Sequence, residues 1–154
     1  MYTSFDPLPD LARRPGFLLR KAHQVAVAIF TDEIGKLALT PPQHNLLAAV
    51  RAHPGCHQTG LARMVGYDRA TVGAMLAGLE ARALIQSDGS LQDKRLKTLK
   101  LTRRGVRLLQ SADAAIERIS ERIVAPLARD ERPVFLGLLA KIAFHDPLAE
   151  AAGP

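Results

Sequence analysis

The spacing of the apolar residues restricts the fold of this 154-residue chain more than any other feature of its sequence. Over most of the chain, apolar residues recur at three- and four-residue steps, which is the period of an amphipathic helix. The period changes to alternation only between Leu84 and Leu101, where two short strands, 84–87 and 95–101, flank a polar loop. The expected fold class is therefore mainly α with a small two-stranded β wing. The predicted helices cover residues 16–37, 41–52, 58–65, 69–82, 103–125 and 132–144.

The third and fourth predicted helices are separated only by a tight turn at Gly66 and Tyr67. Asp68, directly after the turn, is placed to cap the fourth helix with its carboxylate. A short helix, a turn containing glycine and a second helix form the helix-turn-helix pattern. Because two short strands with a basic loop follow directly, the region 40–102 is predicted to be a winged helix-turn-helix.

Positive charge is concentrated in the same part of the chain. Residues 60–107 hold ten Lys and Arg against four Asp and Glu, whereas the segments before and after carry net charges of +2 and −2. The middle third therefore accounts for the whole net charge of +6. A basic segment between nearly neutral flanks is typical of a nucleic-acid site, although a solvated basic surface explains the charge alone equally well.

Five short motifs, taken in order, resemble the core of the MarR family of transcriptional regulators. They are Gln58-Thr59-Gly60-Leu61-Ala62, Asp68-Arg69-Ala70-Thr71-Val72, Leu79-Glu80-Ala81-Arg82-Ala83-Leu84-Ile85, Asp93-Lys94-Arg95 and Leu101-Thr102-Arg103-Arg104-Gly105. With the flanking helices the resemblance covers about residues 14–144. One departure is Ala83, where the family usually has glycine. The resemblance implies a single MarR-type domain over 1–154 that binds double-stranded DNA and regulates transcription.

The first helix and the last two carry apolar stripes that one small winged domain cannot bury by itself. An isologous two-fold dimer, in which the segments 14–37 and 103–146 of both chains interdigitate, would bury them. A two-fold protein also matches a palindromic operator with half-sites about one helical turn apart. The predicted partners are therefore a second copy of the chain and double-stranded DNA.

The fourth predicted helix is expected to enter the major groove of DNA. In its first turn, the guanidinium of Arg69 can pair with guanine, and Thr71 can meet a base edge or a phosphate. Gly73 would allow close approach of the backbone to DNA. Asp68 is interpreted as the helix cap rather than as a DNA contact.

The wing supplies the second group of expected DNA contacts. The resemblance implies that Arg95 reaches the minor groove, whose negative potential is strongest where it is narrow, and that Asp93 braces the loop. The alternative is a surface ion pair that contributes little energy. The expected phosphate contacts are Lys94, Lys97, Arg103 and Arg104.

Regulators of the MarR type often bind small aromatic carboxylates between the dimerisation helices and the winged domain. Residues 14–24 (RPGFLLRKAHQ) resemble a subgroup of the family that is associated with the catabolism of aromatic acids. Arg20 and His23 lie three residues apart on one helix face, where they can bind a carboxylate or a ring hydroxyl, and His44 is a candidate to close the same cavity. The alternative places Arg20 in a salt bridge and His23 in a hydrogen bond at the dimer interface.

His53, Cys56 and His57 lie close together in the sequence, but three ligands are too few for a closed zinc site. They are interpreted as surface loop residues, and neither a metal nor a cofactor is predicted. Cys56 is the single cysteine of the chain, so no resolving cysteine exists. Oxidant sensing through Cys56 is accordingly an alternative hypothesis.

The sequence lacks a Gly-x-Ser-x-Gly elbow, a His-Glu-x-x-His pair, a P-loop and a dinucleotide fingerprint, which argues against an enzyme. The longest apolar run, 25–30, is much shorter than the roughly 20 residues of a membrane span, and no signal peptide is recognised, so a cytoplasmic location is expected. The predicted function is a homodimeric repressor released from its operator by a small aromatic carboxylate. The alternatives are a DNA-binding regulator without an effector and a winged-helix module that binds an acidic protein.

Overall fold

A computed structural model of the chain describes residues 10–90 and 93–145, and the side chains of 10–89 and 97–145. Within these ranges the chain is mainly helical and carries one small antiparallel sheet, which confirms the expected fold class. Single 3-10 turns precede the first helix and follow it. The elements are α1 (Pro15–Ile34), α2 (Pro41–Ala52), β1 (Cys56–His57), α3 (Gln58–Val65), α4 (Arg69–Ala81), β2 (Ile85–Ser90), β3 (Asp93–Leu101), α5 (Arg103–Val124) and α6 (Glu131–Ala143).

Local side-chain chemistry sets the starts of the helices. Pro15 occupies the first position of α1, where its missing N–H and fixed φ cost nothing. At α2, Thr40 and Gln43 form a capping box: Thr40 Oγ1 accepts from the Gln43 N–H at 3.4 Å, and Gln43 Oε1 accepts from the Thr40 N–H at 3.1 Å. These helices therefore begin within one residue of the positions that their sequences predict.

The wing differs from the sequence prediction in two respects. First, the strands are longer, because residues 88–90 and 93–94, expected in a polar loop, lie in β2 and β3. Second, the sheet has three strands in the order β1-β3-β2, since Cys56 pairs with Leu99 and His57 with Thr98. The surface-loop interpretation of Cys56 and His57 is thus wrong. A two-residue strand is too short to show an alternating pattern, so only its pairing with β3 reveals it.

The core of the chain lies where α1, α2, α3, α4 and α5 meet the sheet. Its fully buried side chains are aliphatic, as the low aromatic content requires. Helix α6 contributes no buried residue. The largest fully buried side chains are Ile34, Leu46, Leu47, Leu61, Leu79, Leu84, Leu109, Val50 and Val72.

A tight junction joins the start of the wing to the start of α5. The Thr102 hydroxyl caps α5 by accepting from the Gly105 N–H at 3.0 Å, and it donates to the carbonyl of Ala83 at 2.7 Å. The Thr102 N–H donates to the Leu84 carbonyl at 3.1 Å. Gly105 packs directly on that carbonyl, because a Cβ at this position would lie 2.0 Å from the Leu84 oxygen. The Leu-Thr-x-x-Gly motif therefore has a structural cause.

Charged side chains link the end of α1 to α5 and to α4. Arg122 contacts Asp32 at 2.6 Å and Glu33 at 2.8 Å, which links α5 to the end of α1. Hydrogen bonds from Arg122 and, to a smaller extent, from Arg118 lower the pKa of Glu33. Arg82, at the end of α4, donates to the carbonyls of residues 37 and 38 behind α1 at 3.2 and 2.7 Å. Helix α4 is thereby connected to the segment that follows α1.

Candidate DNA interface and apolar cavity

The first turn of α4 is organised by Asp68. Its carboxylate accepts from the Thr71 N–H at 2.8 Å and also from the Thr71 hydroxyl. Both hydrogen bonds lower the pKa of Asp68, and the bond from the hydroxyl has the larger effect. The interpretation of Asp68 as the cap is confirmed. In the free protein the hydroxyl proton of Thr71 is held by this cap, while the residue itself stays exposed.

Exposed cations lie at the start of α4, on the wing and at the start of α5. Arg69 stands at the first position of α4, Lys97 lies on β3, and Arg103 and Arg104 open α5; all four are exposed. Among the side chains of 10–89 and 97–145, no carboxylate lies within ion-pair distance of any of the four. Lys100 differs, since its Nζ pairs with Asp88 at 2.8 Å. Unpaired surface cations are the groups that an anionic ligand neutralises.

For the remaining wing residues named from the sequence, the structure describes the backbone only. Asp93, Lys94 and Arg95 lie on β3, and the backbone of Asp93 pairs with Ser90. Their side chains lie outside the described residues, so the expected minor-groove contact of Arg95 stays a prediction.

Gln58 is a residue of this region that the sequence reasoning missed. It opens α3, and its side-chain amide donates to the main-chain carbonyl of Arg69 at 3.0 Å. The same amide nitrogen lies beside Gly73. The available signal was the glycine itself, since glycine in the first turns of a helix is costly unless another group needs the space.

A large apolar groove lies between α1, the end of α5 and α6. Its volume is about 890 Å³, and aliphatic and aromatic side chains line nearly all of it. His23 and Ser120 are the polar side chains at its surface. Several of the lining residues are half exposed in the single chain, among them Leu18, Leu138 and Ile142.

The three candidate ligand-binding residues do not meet in one place in the single chain. His23 lines the groove, while the exposed Arg20 has its guanidinium 5.3 Å from the ring centroid of Phe17 and lies outside the lining. His44 is buried on α2, edge-on to Phe30 with the ring centroids 6.0 Å apart. Its Nε2 has no hydrogen-bond partner, and burial lowers its pKa. Burial therefore favours the neutral form of this imidazole, and its Nε2 is a buried polar atom without a partner among the described residues.

Cys56 lies half buried in β1, and this burial raises the pKa of its thiol. His57 places Nδ1 3.2 Å from the carbonyl oxygen of Lys97 across the sheet. In the part of the chain that the structure describes, no group of three or more His, Cys, Asp or Glu is arranged to hold a metal ion. None of the helices in the described ranges is both long and apolar enough to span a bilayer.

A helix-turn-helix followed by the β2–β3 hairpin, which β1 extends to a three-stranded sheet, with exposed cations at the start of the second helix and on the hairpin, defines a winged helix-turn-helix DNA-binding protein. The MarR family model matches residues 39–96. The transcriptional repressor NicR of Pseudomonas putida is 34% identical over 137 residues, which are 89% of this chain and 87% of NicR. The chain belongs to the MarR family of transcriptional regulators.

Solved structures of relatives show the same fold with different ligands. The repressor CouR bound to a 23-mer DNA duplex superposes with a TM-score of 0.81 at 33% identity, covering 89% of this chain and 97% of CouR. CouR has also been solved with p-coumaroyl-CoA. BpsR of Bordetella bronchiseptica, whose DNA binding is regulated by 6-hydroxynicotinic acid, gives a TM-score of 0.81 at 30% identity, covering 88% of this chain and 96% of BpsR.

Proposed function

We propose that this chain is a homodimeric repressor that binds a palindromic operator and is released from it by a small aromatic carboxylate. The observation that carries the DNA-binding part is a set of exposed cations, none of them paired with a carboxylate among the described side chains, on a fold that CouR uses on DNA. In this proposal Arg69 and Thr71 face the major groove. Arg95 reaches the minor groove, and Asp93 braces the wing loop. The phosphate contacts are Lys94, Lys97, Arg103 and Arg104. Such a regulator works on chromosomal DNA in the cytoplasm.

Replacing Arg95 by alanine tests the DNA contact of the wing. We expect Arg95→Ala to bind operator DNA about 10- to 100-fold more weakly. The variant lacks the cation that is attracted to the phosphates beside the minor groove and that recognises the width of the groove. The slope of log affinity against log salt should fall by about one unit. Gel shifts at several salt concentrations, using the intergenic DNA upstream of the chain's own gene and a scrambled duplex of equal length, measure both quantities.

Arg13→Ala is the matched control, because it removes the same charge at an exposed residue outside both the proposed DNA contacts and the proposed dimer segments. It should bind the operator like the parent. Equal affinity of the parent for operator and scrambled DNA would exclude sequence-specific repression. An Arg95→Ala protein with parental affinity at every salt concentration would remove Arg95 from the interface.

The dimer is proposed because the chain leaves an apolar surface uncovered at α1 and α6. Val25 is 55% exposed, Leu138 56%, Ile142 58% and Phe144 87%. Monomeric proteins rarely expose apolar surface of this extent in one place. A second copy that places its segments 14–37 and 103–146 against the same segments here would cover it.

The effector is proposed from the groove and its neighbours. An aromatic ring suits the apolar lining, and His23 at the groove offers a hydrogen bond to a carboxylate or a ring hydroxyl. Arg20 and His44 lie outside this lining, so their part in binding requires that the dimer or the bound state brings them to the ligand. The relative BpsR responds to a hydroxylated pyridine carboxylate. Oxidant sensing is the weaker alternative, since burial raises the pKa of Cys56 and so reduces its reactive thiolate form.

Thermal shift with a panel of benzoates, hydroxycinnamates (free and as CoA thioesters) and pyridine carboxylates tests the effector. A ligand at 100 times its dissociation constant stabilises the folded state by about 2.7 kcal/mol, which raises the melting temperature by roughly 5–10 °C. The neutral amide of an active acid should give a much smaller shift, and Arg20→Met should lose the shift while Arg14→Met keeps it. No response to any acid in the panel would favour a regulator without an aromatic effector.

A further inference from the structure

The side-chain amide of Gln58 joins the two helices of the helix-turn-helix. Its Nε2 donates to the main-chain carbonyl of Arg69, the first residue of α4, at 3.0 Å. The same atom occupies the space beside Gly73, where a Cβ would lie 2.9 Å from it. Since real Cβ atoms do not come that close to another heavy atom, the hydrogen bond and the glycine belong to one contact.

This contact is made to the first residue of α4, whose guanidinium is the proposed base-reading group. The turn between the helices is held by main-chain hydrogen bonds from Gly66 and Tyr67 to the Ala62 carbonyl, at 3.0 and 3.3 Å. Those bonds set the path of the chain, and the buried Val72, Leu76 and Leu79 pack the rest of α4 into the core. The Gln58 amide adds a hydrogen bond to the peptide of Arg69 itself, at the exposed start of the helix. A side chain that reads a base must be held to within about 0.5 Å by such supporting contacts.

We infer that Gln58 is a positioning residue that orients Arg69 for base recognition, and that Gly73 serves to admit the Gln58 amide. In this view the space at Gly73 is filled from within the protein rather than by the DNA backbone. The inference deepens the proposed function and rests on it, because Arg69 must contact DNA for its orientation to matter. The contact between Gln58 and Gly73 is itself measurable without DNA.

Thermal melting of four variants tests the contact in the free protein. Gly78 is the control, since it lies in the same helix with open space where a Cβ would go. Alanine at either glycine improves helix propensity, but Gly73→Ala also displaces the Gln58 amide. We expect Gly73→Ala to melt about 3 °C lower than Gly78→Ala. In a Gln58→Ala background the two should melt together, because the space at 73 is then empty. An unchanged difference in both backgrounds would overturn the inference.

Operator binding tests the positioning role. Gln58→Ala and Gly73→Ala should each weaken operator binding about tenfold, with the double variant no weaker than either single one. Affinity for scrambled DNA should stay at the parental value, since phosphate contacts carry it. In an Arg69→Ala background, Gln58→Ala should have no further effect, because there is no arginine left to orient.

Two results would contradict this role. A Gln58→Ala penalty of the same size in the Arg69→Ala background would mean that Gln58 contacts DNA directly. A Gly73→Ala penalty that persists in the Gln58→Ala background would mean that DNA approaches the backbone at Gly73. The parent protein could also fail to bind DNA while the difference in melting temperature between Gly73→Ala and Gly78→Ala disappears in the Gln58→Ala background. The proposed function would then be wrong, and the contact between Gln58 and Gly73 would still be correct.

Discussion

Gly105→Ala should be the most damaging single-methyl substitution among the glycines that the structure describes. The added Cβ would lie 2.0 Å from the carbonyl oxygen of Leu84, and both groups belong to backbone that the Thr102 cap holds in place. No side-chain rotation can relieve a clash between a Cβ and a main-chain oxygen. The wing and α5 must therefore move apart. We expect a loss of about 3 kcal/mol in the free energy of unfolding, near the upper end for overpacking, and a melting temperature lower by about 10 °C.

Gly78→Ala is the control for Gly105→Ala. Gly78 is also helical, but nothing lies within 4 Å of the position where its Cβ would stand. Alanine there should raise the stability by up to about 1 kcal/mol through helix propensity. Urea denaturation followed by circular dichroism measures both variants. A Gly105→Ala protein as stable as the parent would show that the junction of Leu84 with α5 is looser than described.

Ile142→Glu should convert the proposed dimer to a monomer and weaken operator binding by about 100-fold or more. Two linked winged domains bind a palindrome with an effective concentration that separate domains lack, and such linkage contributes a factor of about 10² to 10⁴. A carboxylate at residue 142 would have to be buried against apolar partner surface, which is costly. Analytical ultracentrifugation measures the mass, and a gel shift measures the binding.

The substitution should leave the protomer folded, because Ile142 is 58% exposed and α6 contributes no buried side chain. Unchanged circular dichroism of the monomeric variant would verify this. Gln110→Glu adds the same charge at an exposed position of α5 that does not line the groove, and it should stay dimeric. An Ile142→Glu protein that remains a dimer with parental operator affinity would place the interface elsewhere.

Most of the helical framework could be read from the sequence because its signals are local. Asp68 caps α4 as expected, and Thr40 and Thr102 cap α2 and α5 in the same way, since an N-cap needs only a side-chain oxygen three residues before an N–H. The ends of α3 and α4 follow in the same way from Gly66, whose φ of 72° closes α3, and from the turn that begins at Arg82.

The wing and the positions of single side chains could not be read in this way. Strand β1 exists only because residues distant in sequence pair with it. Ala83 has a φ of 54°, a left-handed conformation that explains why the family usually has glycine there, and the chain tolerates the strain at a junction that the Thr102 hydroxyl fixes. The candidate ligand residues illustrate the same limit: a three-residue spacing places Arg20 and His23 near each other, but it does not say which of them reaches the groove.

The sequence by itself determined the order, type and limits of the helices, the helix-turn-helix and the concentration of positive charge, because capping and periodicity act within a few residues. Tertiary structure alone decided the third strand, the contact of Gly105 with Leu84, the unpaired nitrogen of His44 and the hydrogen bond from Gln58 to the start of α4. Each of these depends on groups brought together from separate elements. Their distances and burial are set by how those elements pack, which no local pattern encodes.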